Sequence, residues 1–449
     1  MPTDHQQSPK PSAIALLPFA LFLALFVGTG FVLTQMNIEF AFYQLPAPVA
    51  ILPAIILAIW LHRAPLTKTL NEFMSGVGQN TIITMCLIYL LAGAFSSVAK
   101  ATGGVDATVN LGLTMIPEQF ILPGIFLIAA FVATAMGTSM GTIAAIAPVA
   151  LGIADTAGID KALMAGTVLS GAMFGDNLSI ISDTTIAATR TQGCAMKDKF
   201  RENIHIALPA ALLAVILFYV LQPDTAPTPT EPTQWLLVLP YLTILILAVA
   251  GINVFVVLTI GIVMAGLIGM FNQGYEVLQF SKDIYAGFQN MQEIFILSML
   301  IGGLSQLIKV QGGLAYITQL CRGLVKKLSK ANQGAHNPKA TEAALASMVG
   351  ITNCCTANNT VSIIVCGDVA RNIAQEQKVS PKRSASLLDI FSCISQGMIP
   401  WGAQALLLGS TFAITPMNVV GHSYYVMLLL VTSSISIAAG RGMKKPTHQ

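Results

Sequence analysis

The chain has 449 residues, of which 54% are hydrophobic and 10% charged, with a formal net charge of +3. Soluble domains carry about 25% charged residues, so this composition excludes a soluble enzyme, and the absence of a basic stripe excludes a nucleic-acid-binding protein. The apolar residues come in runs close to the ~20 needed to cross a bilayer, which makes this an all-α polytopic membrane protein.

The chain starts polar, MPTDHQQSPK, and its first apolar run, 13–34, has no small-x-small cleavage site. That run reads as a retained span rather than a secretory signal. Basic residues cluster at 62–68, 190–201, 309–339 and 371–383, which marks these stretches as cytoplasmic, whereas 34–47, 155–160 and 222–234 contain no Lys or Arg and are expected outside. Spans at 13–34, 48–62 and 80–98 then leave 103–118 external. The next apolar stretch, 121–154, is too long for one span, yet both of its ends are expected outside. A re-entrant hairpin accounts for this, with two arms of about fifteen residues at ~1.5 Å per residue and a small polar tip, GTSMGT, at 137–142. A single inward crossing follows over 160–188, with a polar interruption in its middle.

Further spans are expected at 204–221, 235–250, 252–271 and 288–308. Residues 340–370 lie between two basic stretches and read as a second hairpin, entering from the cytoplasm with TANNT, 356–360, at its tip. A second broken span covers 385–415, interrupted at GMIPWG, 397–402, and the span 422–440 returns the chain to the cytoplasm. Both termini are then cytoplasmic, with about ten full spans. An internal match supports the layout: GAFSSVAKATGGV at 93–105 aligns with GGLSQLIKVQGGL at 302–314, pairing Lys100 with Lys309. The matched segments run in opposite expected directions, so the fold class is an inverted-topology repeat with two re-entrant hairpins and two broken helices. The domains follow: N-terminal scaffold spans at 1–67, repeat 1 at 68–221, linker and scaffold spans at 222–276, repeat 2 at 277–440 and a tail at 441–449.

Non-helical backbone at membrane depth leaves N–H and C=O groups unpaired, at several kcal/mol each, unless protein, water or an ion satisfies them. The richest break is GDNLSIISDTT at 175–185, where Asp176, Asn177, Ser179, Ser182, Asp183, Thr184 and Thr185 all carry side-chain oxygen. Oxygen suits a small hard cation, and a buried carboxylate can exchange that cation for a proton. Helix capping is the competing reading of Asp176 and Asp183. Asp389 is a third deep acid, for which a place nearer the membrane interface is the equal alternative, and the hairpin-tip residues Thr138, Ser139, Thr142, Asn353, Thr356, Asn358, Asn359 and Thr360 are candidate partners for a cation or a substrate. The seven cysteines form no CxxC pair, so neither zinc nor any other cofactor is expected. HExxH and Walker motifs are missing, and Met173 occupies the first glycine position of the GxGD pattern of membrane aspartyl proteases, which leaves an ion-gradient-driven transporter rather than an enzyme.

The string GAMFGDNLSIISDTTIAATRTQGC, 171–194, resembles the NhaC family of Na+/H+ antiporters, in which the pattern Gly-Asp-x-x-Ser-x-x-Ser-Asp-Thr-Thr recurs; here it is Gly175, Asp176, Ser179, Ser182, Asp183, Thr184 and Thr185. The resemblance implies an inner-membrane homodimer with a scaffold and a mobile transport domain, in which Na+ and H+ compete at Asp176 and Asp183. Relatives of this type also include malate/lactate and amino-acid exchangers, so coupled movement of an organic acid or amino acid is the alternative. With no Lys or Arg read at either tip or break, a dianion lacks a counter-charge, and simple cation/proton exchange is favoured.

Overall fold

A computed structural model describes residues 10–36, 44–179, 182–223, 234–320, 323 and 338–440. The polar linker at 224–233, much of the basic stretch at 309–339, and the tail from 441 lie outside the described residues, as do positions 180 and 181 in the first break. The described chain is helical: α1 (Leu17–Gln35), α2 (Ala47–Leu61), α3 (Leu66–Val77), α4 (Asn80–Ala101), α5 (Gly104–Met115), α6 (Ile121–Met136), α7 (Ser139–Ala157), α8 (Lys161–Leu178), α9 (Asp183–Gln192), α10 (Met196–Val220), α11 (Trp235–Val249), α12 (Val254–Gln273), α13 (Val277–Asn290), α14 (Gln292–Val310), α15 (Pro338–Thr356), α16 (Asn359–Glu376), α17 (Pro381–Met398), α18 (Ala403–Phe412), α19 (Pro416–Gly421) and α20 (Tyr424–Ala438). Seven of these helices are long and apolar enough to cross a membrane. Phe131, Ile216 and Phe271 are each at least 60% exposed on such helices. Water would not tolerate apolar surface on that scale, and the protein is a multi-pass membrane protein.

Two helix–turn–helix hairpins stand where the sequence places them, α6–α7 and α15–α16. Their arms run 16 to 19 residues, longer than the expected fifteen. Helix is interrupted between α8 and α9, and again between α17 and α18. Several helices fill stretches read from sequence as loops. Amphipathic α3 and α13 precede the long helices α4 and α14, α5 lies in the stretch expected outside, and α10 begins at Met196, eight residues earlier than the expected span at 204. The extra turns of α10 matter most, because they carry one basic residue, Lys199, into the interior.

The repeat is more regular than the sequence match alone. Lys161–Leu178 and Pro381–Met398 begin and end 220 residues apart, as do Asp183–Gln192 and Ala403–Phe412. Left-handed residues close the equivalent turns: Gly137 and Gly193 in the first half, Ala357 and Ala413 in the second. Nearer the start of each repeat the offset is 209. There the Cys86 thiol faces the Phe295 carbonyl at 3.7 Å and Tyr89 meets Ser298 at 3.3 Å, each pair being 209 residues apart. Contacts between equivalent positions, together with the reciprocal packing of α4 on α13 and of α14 on α3, are the signature of a local two-fold relation. The second half of each broken helix packs on a hairpin arm of the other repeat, α9 on α16 and α18 on α7, so the two repeats interlock.

Close backbone approach at the repeat interface depends on glycine. A Cβ on Gly93 would lie 2.3 Å from the Gly287 carbonyl oxygen, and one on Gly287 would lie 2.4 Å from the Gly93 oxygen. Because backbone is hit from both sides, relief requires moving a helix. Gly93→Ala is expected to lower stability by about 1–3 kcal/mol in detergent thermal unfolding, whereas Gly28→Ala, with nothing within 4 Å of its added methyl, leaves the midpoint unchanged.

Candidate functional site

The two breaks and the two hairpin tips meet in the protein interior. Helix α8 carries the first acid. Gly171 and Gly175, one turn apart, bring its backbone against α6 so closely that a Cβ on Gly175 would sit 2.3 Å from the Ala133 Cβ and 2.5 Å from the Thr134 nitrogen. The glycines of the motif are thus packing residues, and they seat Asp176 at the depth of the first hairpin tip. Asp176 is 5% exposed, and its Oδ2 accepts a hydrogen bond from the Ser139 hydroxyl at 3.1 Å. It occupies the last turn of α8 rather than a capping position. Helix C-termini concentrate unpaired carbonyls and partial negative charge, which a carboxylate there adds to and which a proton or cation neutralises. Ser139 opens α7 and Ser182 caps α9, so positive helix ends face the break.

From Ser139 a chain of hydrogen bonds runs to the other repeat. Gln404 donates to the Ser139 hydroxyl at 3.0 Å, Gln396 donates to the Gln404 carbonyl oxygen at 2.8 Å, and Gln396 also reaches the Ala357 carbonyl of the second tip at 3.3 Å. Gln396 stands 220 residues after Asp176, so a neutral amide occupies in repeat 2 the position of the acid in repeat 1.

The expected break residues divide. The Ser182 hydroxyl accepts from the Thr185 amide, donates to the Thr185 hydroxyl and approaches Thr184 at 3.0 Å, while the Thr185 hydroxyl donates to the Ser179 carbonyl at 2.7 Å. Asn177 donates to the Met173 carbonyl, and its side-chain oxygen is buried without a hydrogen-bond partner among the described residues. These residues surround the interruption. Asp183, expected to share the cation with Asp176, opens the first turn of α9 with an exposed side chain.

Tip residues are more local. Thr142 donates to the Thr138 carbonyl, Asn358 caps α16 by accepting from the Val361 amide, Asn359 accepts from Thr360, and Thr356 donates to the Asn358 carbonyl. Asn353, deeper on α15, donates to the Ser392 carbonyl and keeps a buried oxygen without a hydrogen-bond partner among the described residues.

One residue corrects the sequence reading. Lys199, assigned with the basic loop at 190–201, is fully buried on α10, where its ammonium donates to the Asn177 carbonyl at 2.9 Å and the Thr185 hydroxyl at 2.7 Å and pairs with Asp389 Oδ2 at 2.7 Å. Asn203, one turn on, bridges the same Asn177 carbonyl and Asp389 Oδ2. The break therefore does hold a lysine, and Asp389 lies at its centre rather than near an interface. A periodic signal existed: Lys199 and Asn203 begin a buried stripe that continues through Ala207, Ala210 and Ala214. A second buried pair, Arg383 with Glu342 at 2.8 Å, joins α17 to α15.

Removing one member of a buried ion pair strands the other charge, at about 3–5 kcal/mol, whereas replacing both with apolar groups is close to neutral. Asp389→Ala is expected to lower the unfolding midpoint steeply, and Lys199→Met combined with Asp389→Leu to regain most of the loss in the same assay.

The chain is similar to several known antiporters. A model of the Na+/H+ antiporter family matches residues 12–222, the half that carries Asp176. The Na+/H+ antiporter NhaC of Bacillus subtilis is 25% identical over 81% of this chain and 84% of its own length. The NhaC antiporter of Alkalihalophilus pseudofirmus is 26% identical over 80% of this chain and 83% of its own. A malate-2H+/Na+-lactate antiporter of B. subtilis is 24% identical over 77% and 80% respectively.

Proposed function

We propose that this chain is a member of the NhaC family of Na+/H+ antiporters, to which it is similar, and that it exchanges Na+ for H+ by alternating access, with the two ions competing for the carboxylate of Asp176. The observation that carries this reading is the placing of one buried acid, hydrogen-bonded to Ser139 and with no ion pair to a basic side chain among the described residues, between the end of a broken helix and the tip of a hairpin. Ser139, Asn177, Ser182 and the carbonyls of the break supply further oxygen around it, which suits a small hard cation. Asp183, whose own side chain is exposed on the first turn of α9 where Thr184 and Thr185 are buried, is the acid that a cation meets before reaching Asp176. In this reading the hairpins re-enter the bilayer, the broken helices and hairpins form the moving unit in a homodimer, and α1, α2, α11 and α12 belong to the scaffold.

A single observation favours coupled movement of an organic acid. A cavity of about 170 Å³ is lined by Lys309, Gln79, Ser305, Gln306, Thr356 and Asn358, which puts one ammonium opposite the second hairpin tip. Against a dianion stands the charge balance of the interior, where Lys199 and Arg383 are each already paired with a carboxylate.

Proteoliposomes with an internal pH dye test both readings. Na+ alone is expected to drive proton movement, and Asp176→Asn to abolish it while the protein still inserts and purifies, because an amide releases no proton. Asp183→Asn is expected to raise the apparent KM for Na+ more than it lowers the maximal rate. One-for-one competition further predicts that, once protons outcompete Na+, the apparent KM rises about tenfold per pH unit of acidification. Proton movement that requires an added carboxylate and disappears in Lys309→Gln would establish the organic-acid reading instead.

A further inference from the structure

The surroundings of Lys199 have the make-up of a monovalent-cation site rather than of an ordinary salt bridge. Its ammonium is held by three oxygens of three kinds: the Asn177 main-chain carbonyl, the Thr185 hydroxyl and Asp389 Oδ2, at 2.7 to 2.9 Å. Lys199, Asp389, Asn177, Asn203 and Thr185 are each 0% exposed. The three donors of the ammonium are thereby used, yet the oxygens continue. Asp389 Oδ1, Asn203 Oδ1 and Asn177 Oδ1 are buried with no hydrogen-bond partner among the described residues. A salt bridge needs only its carboxylate; here two uncharged oxygens hold the same ammonium as well, within a cluster whose other buried oxygens have no hydrogen-bond partner among the described residues. Its location is equally telling, because it is built from the first break, from α10 and from the acid of the second broken helix.

We propose that the Lys199 ammonium is the permanent, tethered occupant of a second monovalent-cation position centred on Asp389. The exchanged ion then has one place per chain, at Asp176; this second clause rests on the reading of Asp176 given above, whereas the first does not. The repeat chemistry agrees. Asp176 has Gln396 as its equivalent, and Asp389 has Leu169, so each half contributes one acid, and only one of the two acids faces a lysine. An ammonium and a potassium ion have nearly the same radius, whereas Na+ is smaller, so the position vacated by Lys199 is of a size for K+ or ammonium.

The test is Lys199→Ala, purified as the full chain in detergent and unfolded thermally against KCl, ammonium chloride and choline chloride at equal ionic strength. The expected result is a lowered midpoint that KCl and ammonium chloride, but not choline chloride, raise saturably by several degrees. Wild type should show no K+ response, and Lys199→Ala with Asp389→Asn should lose it. An identical response to all three salts would overturn the proposal, since Lys199 would then be a packing and pairing residue only. Should Lys199→Ala not fold, equilibrium dialysis of wild type with radioactive Na+ decides: one saturable site per chain supports a filled second position, and two sites overturn it. Loss of Na+ binding in Asp176→Asn tests the earlier reading separately, because the K+ response of Lys199→Ala does not involve Asp176.

Discussion

Breaking a helix inside a membrane protein exposes main-chain carbonyls that neither water nor lipid can satisfy, and the interior of this protein is organised by that constraint. At the first break, the main-chain carbonyls of Asp176, Asn177 and Ser179 find side-chain partners among the described residues. The Ser179 carbonyl is taken by Thr185 and the Asp176 carbonyl is approached by Ser182 at 3.3 Å. The Asn177 carbonyl accepts from both Lys199 and Asn203. Using an ammonium for this task buries a positive charge, whose desolvation costs several kcal/mol unless it is paired. Asp389 supplies the pair from the other repeat. A broken helix in one half thus calls for a lysine on the following helix, and that lysine calls for an acid on the partner broken helix.

The near-identical geometry of the two halves makes their chemical differences informative. Helix bounds repeat at 220 residues and left-handed turns fall at equivalent places, with Gly in the first half and Ala in the second. An alanine at positive φ costs on the order of 1 kcal/mol relative to glycine, so the second half tolerates strain where the first avoids it. Charge differs more sharply. The first half presents Asp176 to a hairpin tip, and the second presents Gln396 at the same place, already committed to Gln404 and Ala357. Two symmetric scaffolds therefore yield one acid with only a hydroxyl partner and one acid locked to an ammonium.

How much of this was readable in the sequence depends on how far apart the cooperating residues lie. The hairpins and breaks were legible because small polar strings interrupt long apolar runs, a pattern confined to neighbouring residues. Asp176, Ser182 and Thr185 share one eleven-residue string and were found together. Lys199 was not, because it sits among Lys197, Asp198, Arg201 and Glu202, a composition that reads as a solvated loop. Only its register separates it from them: on α10 the neighbouring charges turn outward while Lys199 and Asn203 face in. Likewise, Gln396 and Gln404 carry no signal until folding places them beside Ser139, 265 residues from Gln404. Asp183 shows the reverse limit, since a motif position next to Ser182 says nothing about which side of the helix it faces.

The glutamine relay gives the interior a physical means of coupling its parts. Asp176 is one hydrogen bond from the first hairpin tip, through Ser139, and the same hydroxyl accepts from Gln404, which leads through Gln396 to the carbonyl of the second tip. A hydroxyl that donates to a carboxylate is free to accept from an amide. When the carboxylate takes up a proton or a cation, its demand for that donation falls, and the Ser139 hydroxyl can turn, which alters what Gln404 meets. Gln404 both donates to Ser139 and accepts from Gln396, whereas Gln396 is only a donor in this relay, its oxygen being without a hydrogen-bond partner among the described residues, so a change at Ser139 bears first on Gln404. Under the exchange proposed for Asp176, the state of that one acid bears on Ser139 at the first hairpin tip and, through it, on Gln404, while the Lys199–Asp389 pair ties the second broken helix to the first break.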